Sequence, residues 1–387
     1  MGRNRKACAA AITVVGALLL SACGAGGGQQ DANVIKIGFL GDLTGQNSGL
    51  VKPPRNGAQM AIDEYNATNP PKKIELVEYD SQAQPGQAVS LATRAIRQDK
   101  VTAMIGPTFS GESKAADPTL EEGKIPNIST SATNPGLADF GRKYFHRVVA
   151  TDAAQGPAIA DFLIAAKSPK TAFVISDDQE YSVGLADAVS QDFKSKGITV
   201  GRDQFSKDAV DYSSSVSKIK AANPDVVVYG GYYAQAGRLL KQLRDGGVNA
   251  LFATGDGSLD AQLISGAGAP AAEGAVVACP CAVPGPSVVQ GKLKKFYDDY
   301  RAKFNEDPAV YSTEGYDAAT AFINAIKAGN TTSEAINNYL VTEKFDGVAK
   351  PVSFKPTGDV ASDEIFIHQV KNGKLELLGN SKTAKLG

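Results

Sequence analysis

From Val34 onward the chain alternates short apolar runs with stretches of helical periodicity, almost to its end. That alternation limits the fold more than any other feature. Strands separated by helices pair in parallel, because each helix carries the chain back across the sheet face. Residues 34–40 read as a first strand, 56–68 as a helix with Ala58, Met60, Ala61, Ile62 and Tyr65 in an apolar stripe, and 74–79 as a second strand. A helix over 84–98, a strand over 101–105, a helix from Ser110 to near 122 and a strand before Ser129 complete one doubly wound lobe. Near 144–150 the chain is expected to cross to a second series. That series has strands at 171–176, 198–205, 225–230 and 250–254 and helices at 153–166, 181–196, 212–222 and 232–245. The 225–230 run is almost wholly apolar, as a strand covered on both faces should be. A third crossing is expected at 274–282, before helices over 287–304, 313–328 and 332–340 and last strands at 352–354 and 365–370. The predicted class is α/β: two doubly wound Rossmann-like lobes joined by a three-crossing hinge, with a cleft between them.

Two polar turns stand at strand ends in the first series. Ile105-Gly106-Pro107-Thr108-Phe109-Ser110-Gly111-Glu112-Ser113 leads from an apolar strand into a helix that begins at Ser110. A helix start offers unpaired N–H groups and about half a positive charge, which suits a carboxylate or phosphate. The second turn is Ile128-Ser129-Thr130-Ser131-Ala132-Thr133. Hydroxyl-rich turns at the ends of neighbouring parallel strands lie where open α/β sheets bind ligands. The bland reading makes Ser110 a helix cap and Ser131 and Thr133 ordinary turn residues.

The N-terminus speaks to location. Arg3, Arg5 and Lys6 precede an apolar stretch over 9–20 and then Leu20-Ser21-Ala22-Cys23-Gly24. A basic start, a short apolar core and small residues before a cleavage point describe a signal peptide at 1–22; the apolar core is too short for a membrane span. Leu-Ser-Ala-Cys resembles a bacterial lipobox, which implies lipidation of Cys23. Residues 23–33, rich in Gly and Gln, read as a flexible tether. Removing 1–22 from 387 leaves 365 residues, enough for two ordinary domains.

A net charge of −1 with 21% charged residues gives no sign of a nucleic-acid partner or an electrostatic membrane surface. Cys8 leaves with the signal, so Cys279-Pro280-Cys281 holds the remaining thiols, which can close a small ring or stay free. A structural role is the expectation. The only histidines, His146 and His368, lie far away in sequence, so no metal site is expected and no cofactor is implied.

The ordered set Ile105-Gly106-Pro107, Ser110, Ser131-Ala132-Thr133, Gln155-Gly156-Pro157, Tyr181-x-x-Gly184-Leu185-Ala186 and Tyr229-Gly230-Gly231-Tyr232 carries a resemblance. It resembles the leucine/isoleucine/valine-binding family of extracytoplasmic substrate-binding proteins that feed ABC importers, whose fold is the type I periplasmic-binding-protein fold. The resemblance covers 34 to about 370 and assigns 34–150 plus about 282–355 to lobe 1 and 151–281 plus about 356–387 to lobe 2. It implies a bound amino acid whose carboxylate meets Ser110 and Thr133 and whose ammonium meets Thr133, the Ser131 carbonyl and Asp256. Tyr232 adds a backbone donor, Tyr181 closes over the ligand, and Leu50, Phe109 and Tyr311 line the apolar pocket with Ala132 in the turn beside them. The departures from the family pattern are Asp256 where Glu is usual, Ala154 where an Asp is common before Gln-Gly-Pro, and Leu50 where Tyr is common. On the residues alone Asp256, between Gly255 and Gly257, reads equally well as a solvated turn residue.

The resemblance implies a monomer held at the outer face of the cytoplasmic membrane by a lipid anchor, with a permease and an ATPase as partners. The same fold serves relatives that bind an amide, urea or an aromatic acid, and ligand sensors that dock on a membrane receptor. An enzyme is not expected: the sequence has no H-E-x-x-H, no G-x-S-x-G and no phosphate-binding P-loop.

Overall fold

The computed structural model describes residues 33–286 and 290–387. The expected signal peptide at 1–22, Cys8, Cys23 and the tether through residue 32 lie outside the described residues, as does the expected beginning of the helix 287–304.

Two sheets organise the chain. The first contains β1 (Val34–Gly41), β2 (Lys73–Asp80), β3 (Ala103–Ile105), β4 (Asn127–Ser129) and β5 (Phe145–Arg147), in the order β2-β1-β3-β4-β5 with every neighbour parallel. The second contains β6 (Thr171–Asp177), β7 (Thr199–Phe205), β8 (Val226–Gly230), β9 (Leu251–Thr254) and β10 (Val276–Cys279). These five repeat the first order, as β7-β6-β8-β9-β10, again parallel. A small antiparallel ladder, β11 (Lys344–Asp346) with β12 (Pro351–Ser353), stands apart. Beyond β10 the second sheet ends with antiparallel β13 (Phe366–Lys371) and β14 (Lys374–Asn380). β8 is Val-Val-Val-Tyr-Gly and buried at every position, as the middle of a sheet covered on both faces requires.

The strand order reverses between β1 and β3 and between β6 and β8. Connections leave such a switch point in opposite directions, which opens a crevice at the carboxyl ends of the strands. The loops after β1, β3, β6, β8 and β9 are therefore the ones placed to hold a ligand.

The chain goes from the first sheet to the second after β5 and leaves the second sheet after β10. It re-enters that sheet at β13 after β12. Two expected crossings begin later than the sequence suggested. Residues 145–147 are not linker but the edge strand β5, because Phe145-His146-Arg147 is buried despite its polar composition. His146 Nε2 lies 3.0 Å from Asn337 Oδ1, and Arg147 pairs with Asp359 at 2.6 Å. Likewise 276–279 is a fully buried strand pairing with β9 and β13, and the crossing begins only after it. There Cys279 and Cys281 are joined as a disulfide. The Pro280 carbonyl between them accepts from Lys350 Nζ at 2.9 Å, and Lys350 pairs with Glu314 at 3.2 Å, both side chains being buried.

Helices cover the sheets. Lys52–Ala67 starts earlier than expected, because Pro53 and Pro54 fall in its first turn where no N–H is needed. It packs on Ser312–Lys327 from the far end of the chain. The two backbones touch where both lack side chains: a Cβ on Gly315 would lie 1.9 Å from the Pro54 carbonyl oxygen, and one on Gly57 2.0 Å from that of Ser312. Among the described residues no helix is long and apolar enough to cross a membrane.

Candidate ligand-binding cleft

On the first sheet the site begins where β3 stops. Gly106 holds φ +102°, and a Cβ there would meet the Leu40 carbonyl oxygen at 2.3 Å, so only glycine lets the chain turn beside β1. The helix Ser110–Glu122 follows. Its start is tied by Glu112, whose Oε2 accepts from the Phe109 N–H at 3.1 Å and from Thr108 Oγ1 at 3.2 Å. Ser81 donates to the other oxygen. Burial still pushes the Glu112 carboxyl up to about 7. Because Glu112 does the capping, Ser110 is not the cap; its Oγ accepts from the Asn134 N–H at 3.3 Å.

The second turn follows β4. Ser131 Oγ donates to the Thr108 carbonyl at 2.7 Å, locking the two turns together. Beneath them Arg147, fully buried, donates from Nη1 to the carbonyls of Ala132 at 3.0 Å and Asn134 at 2.8 Å. Thr133 Oγ1 is buried and has no well-formed hydrogen bond.

Across the cleft Asp256, in the loop after β9, is only 1% exposed, which removes the solvated-turn reading. Its Oδ1 accepts from Tyr181 Oη at 2.7 Å and from Gln155 Nε2 at 2.7 Å, and Tyr311 donates to Oδ2. Gln155 Oε1 accepts in return from the Asp256 N–H at 3.0 Å. Tyr311 holds its ring there from a left-handed backbone, φ +60°, a conformation that is costly for an aromatic residue and concentrates at functional sites. Gln155 Nε2 also donates to Asp152 Oδ1 at 3.1 Å, while Asp152 Oδ2 has no well-formed partner. Two buried carboxyls thus share one amide. Burial raises both above the usual carboxylate range, and the Asp256 charge raises Asp152 further.

Leu50, Phe109, Ser110, Ser131, Tyr181, Tyr232, Asp256 and Tyr311 all line one cavity of about 10 Å³, room for about one water. Ala132 and Thr133 lie buried in the adjoining turn. The sequence reading named Gln155 only as part of the family motif and did not include Asp152 or Arg147. Asp152 and Gln155 stand three apart on the helix Asp152–Lys167 and so share a face, a signal present in the motif Asp152-Ala153-Ala154-Gln155-Gly156. Ala154, noted as a departure from the family pattern, carries no carboxyl, and the buried carboxyl beside Gln155 is that of Asp152. Arg147 carried no such signal.

The sequence profile described as "Periplasmic binding protein" matches residues 34–374. The chain belongs to the periplasmic binding protein family. A Leu/Ile/Val/Thr-binding protein of Salmonella typhimurium is 30% identical over 345 residues, 87% of this chain and 91% of that one. A leucine-binding protein of Thermotoga maritima superposes with a TM-score of 0.82 at 30% identity, over 89% of this periplasmic binding protein and 98% of the other. The branched-chain amino acid transporter substrate-binding protein LivJ of Streptococcus pneumoniae, solved in complex with isoleucine, gives 0.81 at 30% identity, over 89% and 99%. The shared two-lobed architecture is the type I periplasmic-binding-protein fold.

Proposed function

We propose that this chain is the extracytoplasmic solute-binding component of an ABC importer, capturing a small α-amino acid, branched-chain by preference, in the cleft between its lobes. The observation that carries this reading is the polarity of the cleft. A helix start with Ser110 lies on one side, and the buried Asp256–Gln155–Asp152 cluster lies on the other. A zwitterion needs both ends, because leaving either charge unpaired in a closed cleft costs several kcal/mol, by rough estimate.

In this reading the ligand carboxylate binds Ser110 Oγ and the N–H groups of the first helical turn. The ammonium binds Thr133 Oγ1, the Ser131 carbonyl and Asp256, with Asp152 behind it. The Tyr232 backbone adds a donor. Leu50, Phe109, Tyr181 and Tyr311 enclose the side chain. Residues 34–150 plus about 282–355 and 151–281 plus about 356–387 act as the two lobes. Closing them excludes water and strengthens both charged contacts. The closed form is then presented to a permease and its ATPase. The proposal includes no chemical step on the ligand, a monomer, and a lipid anchor on Cys23 that keeps the protein at the outer face of the cytoplasmic membrane.

The test is calorimetric titration of refolded, ligand-stripped protein with leucine, isoleucine, valine, a small amide and an aromatic acid. Micromolar or tighter binding of an aliphatic amino acid is expected, with a loss of ten-fold or more in Ser110→Ala and in Asp256→Ala. That loss corresponds to a charge-assisted hydrogen bond of roughly 1.5–3 kcal/mol. Binding of the amide or the aromatic acid alone would overturn the amino-acid assignment, and unchanged affinity in both variants would remove the site.

A further inference from the structure

The cleft holds a second, larger chamber beside the ligand cavity. It measures about 480 Å³ and opens toward solvent between the starts of the helices Ser110–Glu122 and Glu180–Ser195. Phe109, Tyr181 and Tyr232 line both cavities, so these three rings are the wall between them. Tyr232 packs against both of the others, with ring centroids 5.2 Å from Phe109 and 5.1 Å from Tyr181. The rings are not equally fixed. Tyr181 is anchored by its hydroxyl, which donates to Asp256 at 2.7 Å and accepts from the Gly257 N–H at 3.1 Å. Tyr232 is wedged between its neighbours. The Phe109 ring is held by packing, with only its backbone N–H bonded to Glu112, and Phe109 is the residue immediately before the helix that carries Ser110.

We propose that Phe109 determines specificity by closing the partition between the two chambers, so that the site accepts amino acids with short aliphatic side chains and excludes longer or aromatic ones. This rests on the amino-acid reading of the same cleft. The ligand cavity itself has room for about one water, so any side chain has to displace a wall, and the aromatic wall is the one with open space behind it. The room a larger side chain needs lies behind Phe109, in a chamber whose lining includes the ion pair of Lys114 with Glu180 at 2.8 Å. Removing the Phe109 ring joins the chambers while leaving every polar group of the ligand site in place.

Titration of wild-type, Phe109→Ala and Phe109→Leu proteins with alanine, valine, leucine, methionine and phenylalanine tests this. Wild type is expected to bind valine or leucine at least ten-fold tighter than phenylalanine. Phe109→Ala should shift the valine-to-phenylalanine affinity ratio by ten-fold or more toward phenylalanine, and Phe109→Leu should shift it in the same direction by less. If Phe109→Ala does not fold, the ratio in Phe109→Leu decides. A ratio unchanged from wild type, with all ligands weakened alike, overturns the proposal, and so does a wild type that prefers phenylalanine; both leave the amino-acid reading standing. Failure of wild type to bind any amino acid overturns that reading itself.

Discussion

In the proposed site Asp256 and Asp152 face the ligand's ammonium, and their electrostatics predict a linked proton. Burial raises both, and Asp256 ionisation raises Asp152 further, so the cluster without a cation holds protons more tightly than a free carboxylate does. An ammonium bound at Asp256, with Asp152 behind it, favours the ionised form and lowers the same groups. Binding therefore releases protons, and affinity rises with pH through the range where the free cluster titrates. Calorimetry in two buffers of different ionisation heat is expected to give different apparent binding enthalpies, with the sign of proton release; identical heats would remove the cluster as the ammonium partner. Asp256 was picked out in the sequence by the family resemblance, since its place between two glycines after an apolar strand fits a solvated turn as well. Its partner Gln155 lies 101 positions away, and no local pattern reveals a hydrogen bond of that span. The motif around Gln155 marked the family, while its chemistry needed the fold.

Elements were legible wherever local pattern and burial agree. The apolar β8 and the striped helix Lys52–Ala67 are such cases. Failures came where tertiary packing overrides composition. β5 is short and polar, and its burial depends on Asn337 and Asp359 from near the other end of the chain. β10 is apolar enough to read as a strand, yet the Cys-Pro-Cys that follows it draws attention to the turn. The strongest element-level constraint is the contact between the helices Lys52–Ala67 and Ser312–Lys327, which ties the opening of the chain to its last third. The Gly315 Cα lies against the Pro54 carbonyl, so a methyl group there forces the helices apart. Gly315→Ala is expected to destabilise the protein by about 1–3 kcal/mol, despite the better helix propensity of alanine. Urea unfolding of both proteins measures this, and equal or greater stability in the variant would mean that the helices are free to separate.

At the scale of the whole molecule, affinity depends on how readily the lobes close as well as on what the ligand touches. The repeated strand order places both switch points on one cleft, and the alternation of strands and helices in the sequence was enough to anticipate that plan. The contacts that hold the lobes together were not legible, since they join segments far apart in the chain. On one flank Asn134 Nδ2 donates to the Glu180 carbonyl at 3.0 Å beside the Lys114–Glu180 ion pair. On the opposite flank Tyr233 Oη donates to the Gln46 carbonyl at 2.6 Å, across 187 positions. Tyr233 does not line the ligand cavity. Tyr233→Phe removes that hydrogen bond and a longer one, 3.4 Å, that the same hydroxyl accepts from the Gly49 N–H, and leaves the residues that line the ligand cavity in place. A hydrogen bond of this kind contributes about 0.5–1.5 kcal/mol net. Because that energy belongs to the closed form, its loss lowers the closed fraction and, with it, the apparent affinity for every ligand by the same factor. The expected result is a uniform weakening of about two- to ten-fold, with the order of preferred ligands preserved and a larger radius of gyration by solution scattering at sub-saturating ligand. A change in ligand order would instead make Tyr233 part of the recognition surface. Unchanged affinity together with unchanged scattering would mean that closure rests on the other flank, at Asn134 and Glu180.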